Sequence, residues 1–318
     1  MKRLAIFAVP LVSLVALLSL GAPSAAAASM AAHGAHTSRP VSHHHHIVFF
    51  PTLQHWRKMH HNRHPYAGSP NDLMYNGGPV EENPVVYVIF WGPGWSNGSG
   101  GVTADGQVVE NYFNSMGGTS FENILTQYYD NNANVSNSNS VSGVWVDTST
   151  PPTDQSCGGP TVEDSDIQNE VSNAISANGW PTDGSNATYF VYTPNGDYVN
   201  GGGSCSDTAG GFCAYHNWDS SINVAYAAMA YPINSGCNVP QSPNGNLAGD
   251  SLANVTSHEQ FEAITDPQAG NGWLDSSGQE IGDKCAWDFS AGLTNLNGQS
   301  FELQTEYSNA SSSCVNSY

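Results

Sequence analysis

The sequence predicts an α/β protein, a mixed sheet with helices packed against it and disulfides to stabilise it. Apolar runs of strand length alternate with segments of helical spacing, and the chain then gives way to turns and short strands. Six cysteines lie at Cys157, Cys205, Cys213, Cys237, Cys285 and Cys314. An even count behind an export-like leader points to three disulfides, with 15 pairings open.

The leader comes first. Lys2 and Arg3 precede an apolar run over residues 4–20, and small residues at 24–28 offer a cleavage point. Residues 1–28 therefore read as a secretory signal, cut near Ala27 or Ala28. Later stretches fall short of the roughly 20 apolar residues that a membrane helix needs. Residues 29–64 are polar, basic and rich in histidine, with His43 to His46 consecutive. They read as a disordered spacer, or more sharply as a pro-segment whose imidazoles mask a metal site. Residues 65–318 read as one domain.

Within that domain, Val-Val-Tyr-Val-Ile-Phe-Trp at 85–91 has the composition of a buried strand. Residues 108–129 have helical spacing, broken at Gly117-Gly118. A second strand is expected at 141–146. A helix over 162–177 has Ile167, Val171, Ala174 and Ile175 on one face and acids in its first turn. Strands at 188–192 and 222–231 follow. A last helix starts near Asp250 or Ser251 and ends before Pro267.

Charge divides the chain. Seven basic and 27 acidic residues give −20, and every acid lies at Asp72 or later. After His64 only Lys284 is basic, so that body carries 1 − 27 = −26. Such a surface repels nucleic acid and anionic membranes, and it favours cations.

The candidate chemistry lies in the last helix. Of 12 histidines only His216 and His258 follow the leader. His258-Glu259-Gln260-Phe261-Glu262 places His258 and Glu262 four apart, on one helix face, where both can bind one cation. Glu259 would take a proton from water beside the ion. A catalytic zinc site needs a third protein ligand. Glu280 and Asp283 supply a downstream acidic one, and His216 is the other source. If His216 is not a ligand, it can stabilise an oxyanion or donate a proton. Asp266 and Asp275 are candidates to orient ligands. The plainer alternative is an ordinary i,i+4 pair between His258 and Glu262. Zinc is the expected ion, and a harder divalent cation suits these acids comparably well. Gly94-Trp95-Ser96-Asn97-Gly98 matches a nucleophile elbow but is followed by glycines in place of a helix. Gly201 to Gly203 reads as a surface turn.

Several motifs together resemble the EXORDIUM family, also called phosphate-induced protein 1. They are Met74-Tyr75-Asn76-Gly77-Gly78-Pro79-Val80 leading into Val86-Tyr87-Val88-Ile89-Phe90-Trp91-Gly92, then Cys213-Ala214-Tyr215-His216. His258-Glu259-Gln260-Phe261-Glu262 continuing to Thr265-Asp266-Pro267, Gly272-Trp273, and Glu280-Ile281-Gly282-Asp283-Lys284-Cys285 complete the set. They run in order over most of the body. Asn76 stands where the family tends to have His, and Ala214 where it has Gly. The resemblance implies an extracellular protein and places His216, His258, Glu259, Glu262, Glu280 and Asp283 in shared motifs. The element order also looks like a zincin fold, which is fold-level analogy.

The expectation is a secreted zinc-dependent hydrolase, foremost a metallopeptidase acting on a peptide or protein. The alternative is a non-catalytic extracellular or cell-wall binding or signalling protein of the EXORDIUM type. For that role Trp91, Trp95 and Trp218 would stack on the sugars of a wall polymer.

Overall fold

The computed structural model describes residues 47–59, 72–182 and 184–318. The expected signal peptide and most of the histidine-rich leader lie outside these residues. Six strands form one sheet. They are β1 (Val48–Pro51), β2 (Val85–Trp91), β3 (Ser140–Asp147), β4 (Gly184–Tyr192), β5 (Phe212–Asp219) and β6 (Val224–Met229). The spatial order is β1-β5-β6-β4-β2-β3. β3, β2, β4 and β6 run parallel, and β5 is antiparallel to both β6 and β1. The expected mixed sheet is thus present.

Helices cover both faces, which is why β2 and β6 carry hardly any polar side chains. Strand side chains alternate between faces. On one face Val88, Phe90, Phe190, Tyr192, Ala214 and Ala227 meet α2 (Ala104–Met116) and α4 (Leu247–Thr265). On the other, Ile89, Tyr189, Val191, Tyr215 and Ala228 meet Ile167, Val171 and Ala174 of α3 (Asp164–Asn178).

The helix boundaries have local causes. The Glu163 N–H donates to Asp166 Oδ2 at 3.2 Å, and Gly179 ends α3 at φ 66°, a left-handed conformation that suits glycine. Asn246 caps α4 by accepting from the Gly249 N–H at 3.1 Å. Gly249 lets α4 approach α2: a Cβ there would lie 2.9 Å from Val108. The elbow candidate is a short 3-10 turn, Pro93–Trp95, and the next α-helix begins only at Ala104. Gly201 to Gly203 turn between two short strands.

The expected leader boundary needs correction. Val48–Pro51, assigned to the leader, is the edge strand β1, with Val48 opposite His216 and Phe50 opposite Ala214. The apolar tetrapeptide Ile47-Val48-Phe49-Phe50 has strong strand propensity, and it satisfies the open edge of β5. Helix α1 (Leu53–Met59) follows, with Trp56 buried.

Three disulfides join Cys157–Cys205, Cys213–Cys237 and Cys285–Cys314. The last ties the turn after Asp283 to the C-terminal hairpin. Disulfides fit an extracellular, oxidising setting. No described helix is long and apolar enough to cross a membrane.

Candidate metal centre

Helix α4 is buried from Gly249 to Thr265, on its polar as well as its apolar sides. Buried polar groups cost free energy unless they find partners, and several do. The Tyr112 hydroxyl donates to Gln260 Oε1 at 2.8 Å, and Gln260 Nε2 donates to Asn139 Oδ1 at 2.9 Å. Tyr192 and Thr256 share a 2.7 Å hydrogen bond. Asn254 Oδ1 accepts from the Gln304 N–H at 2.7 Å.

The turn from His258 to Glu262 differs. His258 Nε2 lies 3.0 Å from Glu262 Oε1 and 3.9 Å from Asp283 Oδ1. His216 Nδ1 lies 3.4 Å from Glu259 Oε2 and 3.7 Å from Glu262 Oε2. Two groups can each hold a cation: His258, Glu262 and Asp283, and His216, Glu259 and Glu262. Glu280 is in neither group, but its Oε1 lies 3.6 Å from His216 Nε2. Several buried atoms here lack any hydrogen-bond partner: His258 Nε2, Glu259 Oε1, Glu262 Oε2, both Glu280 carboxylate oxygens and Glu306 Oε2.

The cluster is assembled from α4, β5 and the loop that carries Glu280 and Asp283. β5 presents His216 toward α4, on the face shared with Ala214. His216 Nε2 lies 3.1 Å from the Asp266 carbonyl, which fixes the ring and leaves Nδ1 for the carboxylates. So Asp266 does orient a candidate ligand, through its backbone. Its carboxylate instead accepts from the Gly270, Asn271 and Gly272 N–H groups, shaping the turn after α4. Asp275 is hydrogen-bonded within its own turn, to the Ser277 and Gln279 N–H groups. It accepts from Lys284 Nζ at 3.2 Å and so anchors the loop that carries Glu280 and Asp283.

Other contributors carry no sequence motif of their own. The ring of Phe50 stacks on His258 at 4.0 Å and on Trp287 at 4.8 Å. The Gln304 amide nitrogen lies 3.0 Å from His258 Nδ1. Glu306 lies beside Gln304, at 3.5 Å. The alternation Glu302-Leu303-Gln304-Thr305-Glu306 was the visible hint of an extended segment with one polar face. Gly282 is required sterically, because a Cβ would lie 2.6 Å from His258 Nδ1 and 3.0 Å from Glu262 Oε1. The Asp283 N–H donates to Glu262 Oε1 at 3.0 Å.

The electrostatics follow from burial and crowding. Burial, then mutual repulsion, pushes the carboxyls of Glu262, Glu280 and Glu306 well above the usual range. Burial also raises Asp283. His258 is lowered by burial. For His216 burial acts downward, but Glu259 and then Glu262 and Asp266 outweigh it and lift the imidazole to about 9. Among the described residues no Lys or Arg enters the cluster. The neighbouring Lys284 pairs with Asp275 and lies 4.2 Å over the Tyr307 ring.

Through Asp283 the cluster borders a cavity of about 270 Å³, also lined by Phe49, Pro51, Trp56, Met59 and Gln279. Asp283 is its outermost carboxylate, with a side chain 14% exposed. Of the expected sugar-stacking residues, Trp91 and Trp95 are core, at 4% and 2% exposure. Their indole N–H groups are satisfied by Ser149 and by the Thr193 carbonyl. Trp218 is half-buried.

The chain matches no protein-family model, no curated protein and no solved structure.

Proposed function

We propose that this chain is an exported metal-dependent hydrolase, with a peptide or protein as its substrate. The observation that carries the reading is a buried set of two imidazoles and several carboxylates with unpartnered atoms and, among the described residues, no Lys or Arg within it. Such a set calls for a cation. His258, Glu262 and Asp283 would hold it, Asp283 being the acid that completes the helix pair. Zinc suits the histidines, and manganese or another hard ion suits the oxygens.

A divalent ion there polarises a carbonyl and lowers the pKa of water toward about 7. Glu259, with Oε1 unpartnered, accepts the proton of the attacking water and passes it to the leaving group. His216, lifted to about 9 by the carboxylates around it, is protonated at neutral pH without the ion and lines the same site. Ordered resemblance to the EXORDIUM motifs supports an extracellular setting, and the disulfides agree with it.

Burial favours a second reading. The cluster lies beneath Phe50 and reaches the cavity only through Asp283, as a structural cation in a non-catalytic extracellular binding protein would. Glu259→Gln separates the two. A hydrolase loses turnover by on the order of 10²–10⁴-fold while keeping the ion at His258. Unchanged activity on peptide substrates in that variant, or no hydrolysis by the wild type with metal loaded, would leave the structural reading standing.

A further inference from the structure

We propose that the cluster holds two divalent cations that share the Glu262 carboxylate. This rests on the metal-site reading above and adds a second ion to it. The first argument is helical geometry. With about 100° per residue, Glu262 falls between His258 and Glu259 around the helix axis. Its carboxylate is therefore flanked by both neighbours.

The coordinates show the result. Glu262 Oε1 faces His258 Nε2 at 3.0 Å, and Oε2 faces His216 Nδ1 at 3.7 Å. The two oxygens serve different imidazoles. Each imidazole also has its own further acid, Asp283 for His258 and Glu259 for His216. The candidate ligand sets thus meet only at Glu262. A bridging carboxylate of this kind holds two ions about 3.5–4 Å apart.

Charge balance points the same way. Glu259, Glu262, Glu280, Glu306 and Asp283 gather here without Lys or Arg among the described residues. One divalent ion leaves most of these carboxylates uncompensated in a buried site, whereas two neutralise nearly all of them. Glu280 has both oxygens buried and unpartnered beside His216.

The supporting groups also come in two sets. The Asp266 carbonyl holds His216 Nε2, leaving Nδ1 for the ion. Gln304 holds His258 at Nδ1, leaving Nε2. Ligation through Nε2 requires the proton on Nδ1, so the Gln304 amide, which donates to the Gly282 carbonyl and accepts from the Trp287 N–H, would have to exchange those partners. Glu259 binds the second ion through Oε2 and keeps Oε1 for the proton in hydrolysis.

The test uses the full chain, stripped by chelation and reloaded with Mn²⁺. Two equivalents should give the multiline electron paramagnetic resonance spectrum of an exchange-coupled pair. Bound manganese is also counted by mass spectrometry in wild type, His216→Ala, His258→Ala and the double variant. Ions on the histidine-rich leader cancel in the differences. The expected result is about one ion lost in each single variant and two in the double. If each single variant and the double all lose the same one ion, and the spectrum is that of isolated Mn²⁺, the pair is refuted and the one-metal hydrolase stands. If no variant loses an ion, both fall. The wild-type spectrum decides the matter even if the variants fold poorly.

Discussion

Helices α3 and α4 lie on opposite faces of the same sheet and solve different problems. α3 is amphipathic: Ile167, Val171 and Ala174 face the sheet, and residues such as Asn169 and Asn178 face outward. α4 is buried all round, although it carries Asn254, Thr256, His258, Glu259, Gln260 and Glu262. α3 follows mostly from burial of apolar area, with Glu170 as its one buried acid. α4 does not, because burying so many polar groups opposes folding unless each finds a partner. Asn254, Thr256 and Gln260 are partnered by protein, while the turn carrying His258, Glu259 and Glu262 has unpartnered atoms. The lesson is local: α4 is built as scaffold in most turns and as a binding site in one.

The sharpest way to break this contrast is to crowd the site without touching a ligand. Gly282→Ala should weaken metal binding by about 10–100-fold, because the new Cβ would press on His258 and Glu262. Isothermal titration with Zn²⁺ would show it. Unchanged affinity would mean that the ion does not bind between these residues. The converse change is Ile167→Ala on α3. It should cost about 2–5 kcal/mol of stability in denaturant unfolding and leave metal affinity alone. A loss of metal there would end the division of labour between the helices.

Acidity gives a third test. The carboxyls of Glu262, Glu280, Glu306 and Asp283 are raised in the fold, so the folded metal-free protein binds more protons than the unfolded chain above pH ~4.5. His216 adds the same sign: its stabilising contribution is whole below about 6.5 and is lost as pH rises through about 9. His258, lowered by burial, opposes this as a single group. Metal-free protein should therefore lose stability from pH 5 to pH 9. Bound metal, which displaces those protons, should weaken the trend, and Glu81 and Glu170, each raised to about 8 by burial outside the cluster, should keep part of it. Melting temperatures with and without chelator would measure it. A metal-free protein most stable at pH 9 would contradict the charge balance argued for α4.

The smallest effects fall at the helix ends, where the two helices should behave alike. Asn246→Ala removes the cap of α4, and Gly179→Ala strains the left-handed end of α3. Each should cost about 1 kcal/mol. A much larger cost at Asn246 would show that metal binding depends on the whole of α4 as well as its last turns.

Much of this was legible in the chain. Strand-like runs at 85–91 and 188–192 and the spacing of Ile167, Val171 and Ala174 foretold β2, β4 and α3, because burial on one face or both imposes the composition. The pattern His258-Glu259-x-x-Glu262 on a helix foretold a shared face, since spacing around a helix axis is fixed by local geometry. The six cysteines implied three pairs.

What the tertiary structure alone decided was which distant residues complete the site. His216 sits on β5, a strand with mixed polarity that gives no periodic signal of its own. Asp283 joins His258 and Glu262, whereas Glu280 packs near His216, and nothing in their shared loop motif distinguishes them. Phe50 looked like part of a histidine-rich leader, yet it adds an edge strand and stacks on His258. Gln304 has no motif, and Gly282 lies in one that does not reveal its role, because their importance is a matter of a ring nitrogen held and of space left. Local sequence fixes φ, ψ and which face a residue shares. Which faces then meet depends on the packing of the whole sheet and its helices, which short-range patterning does not encode.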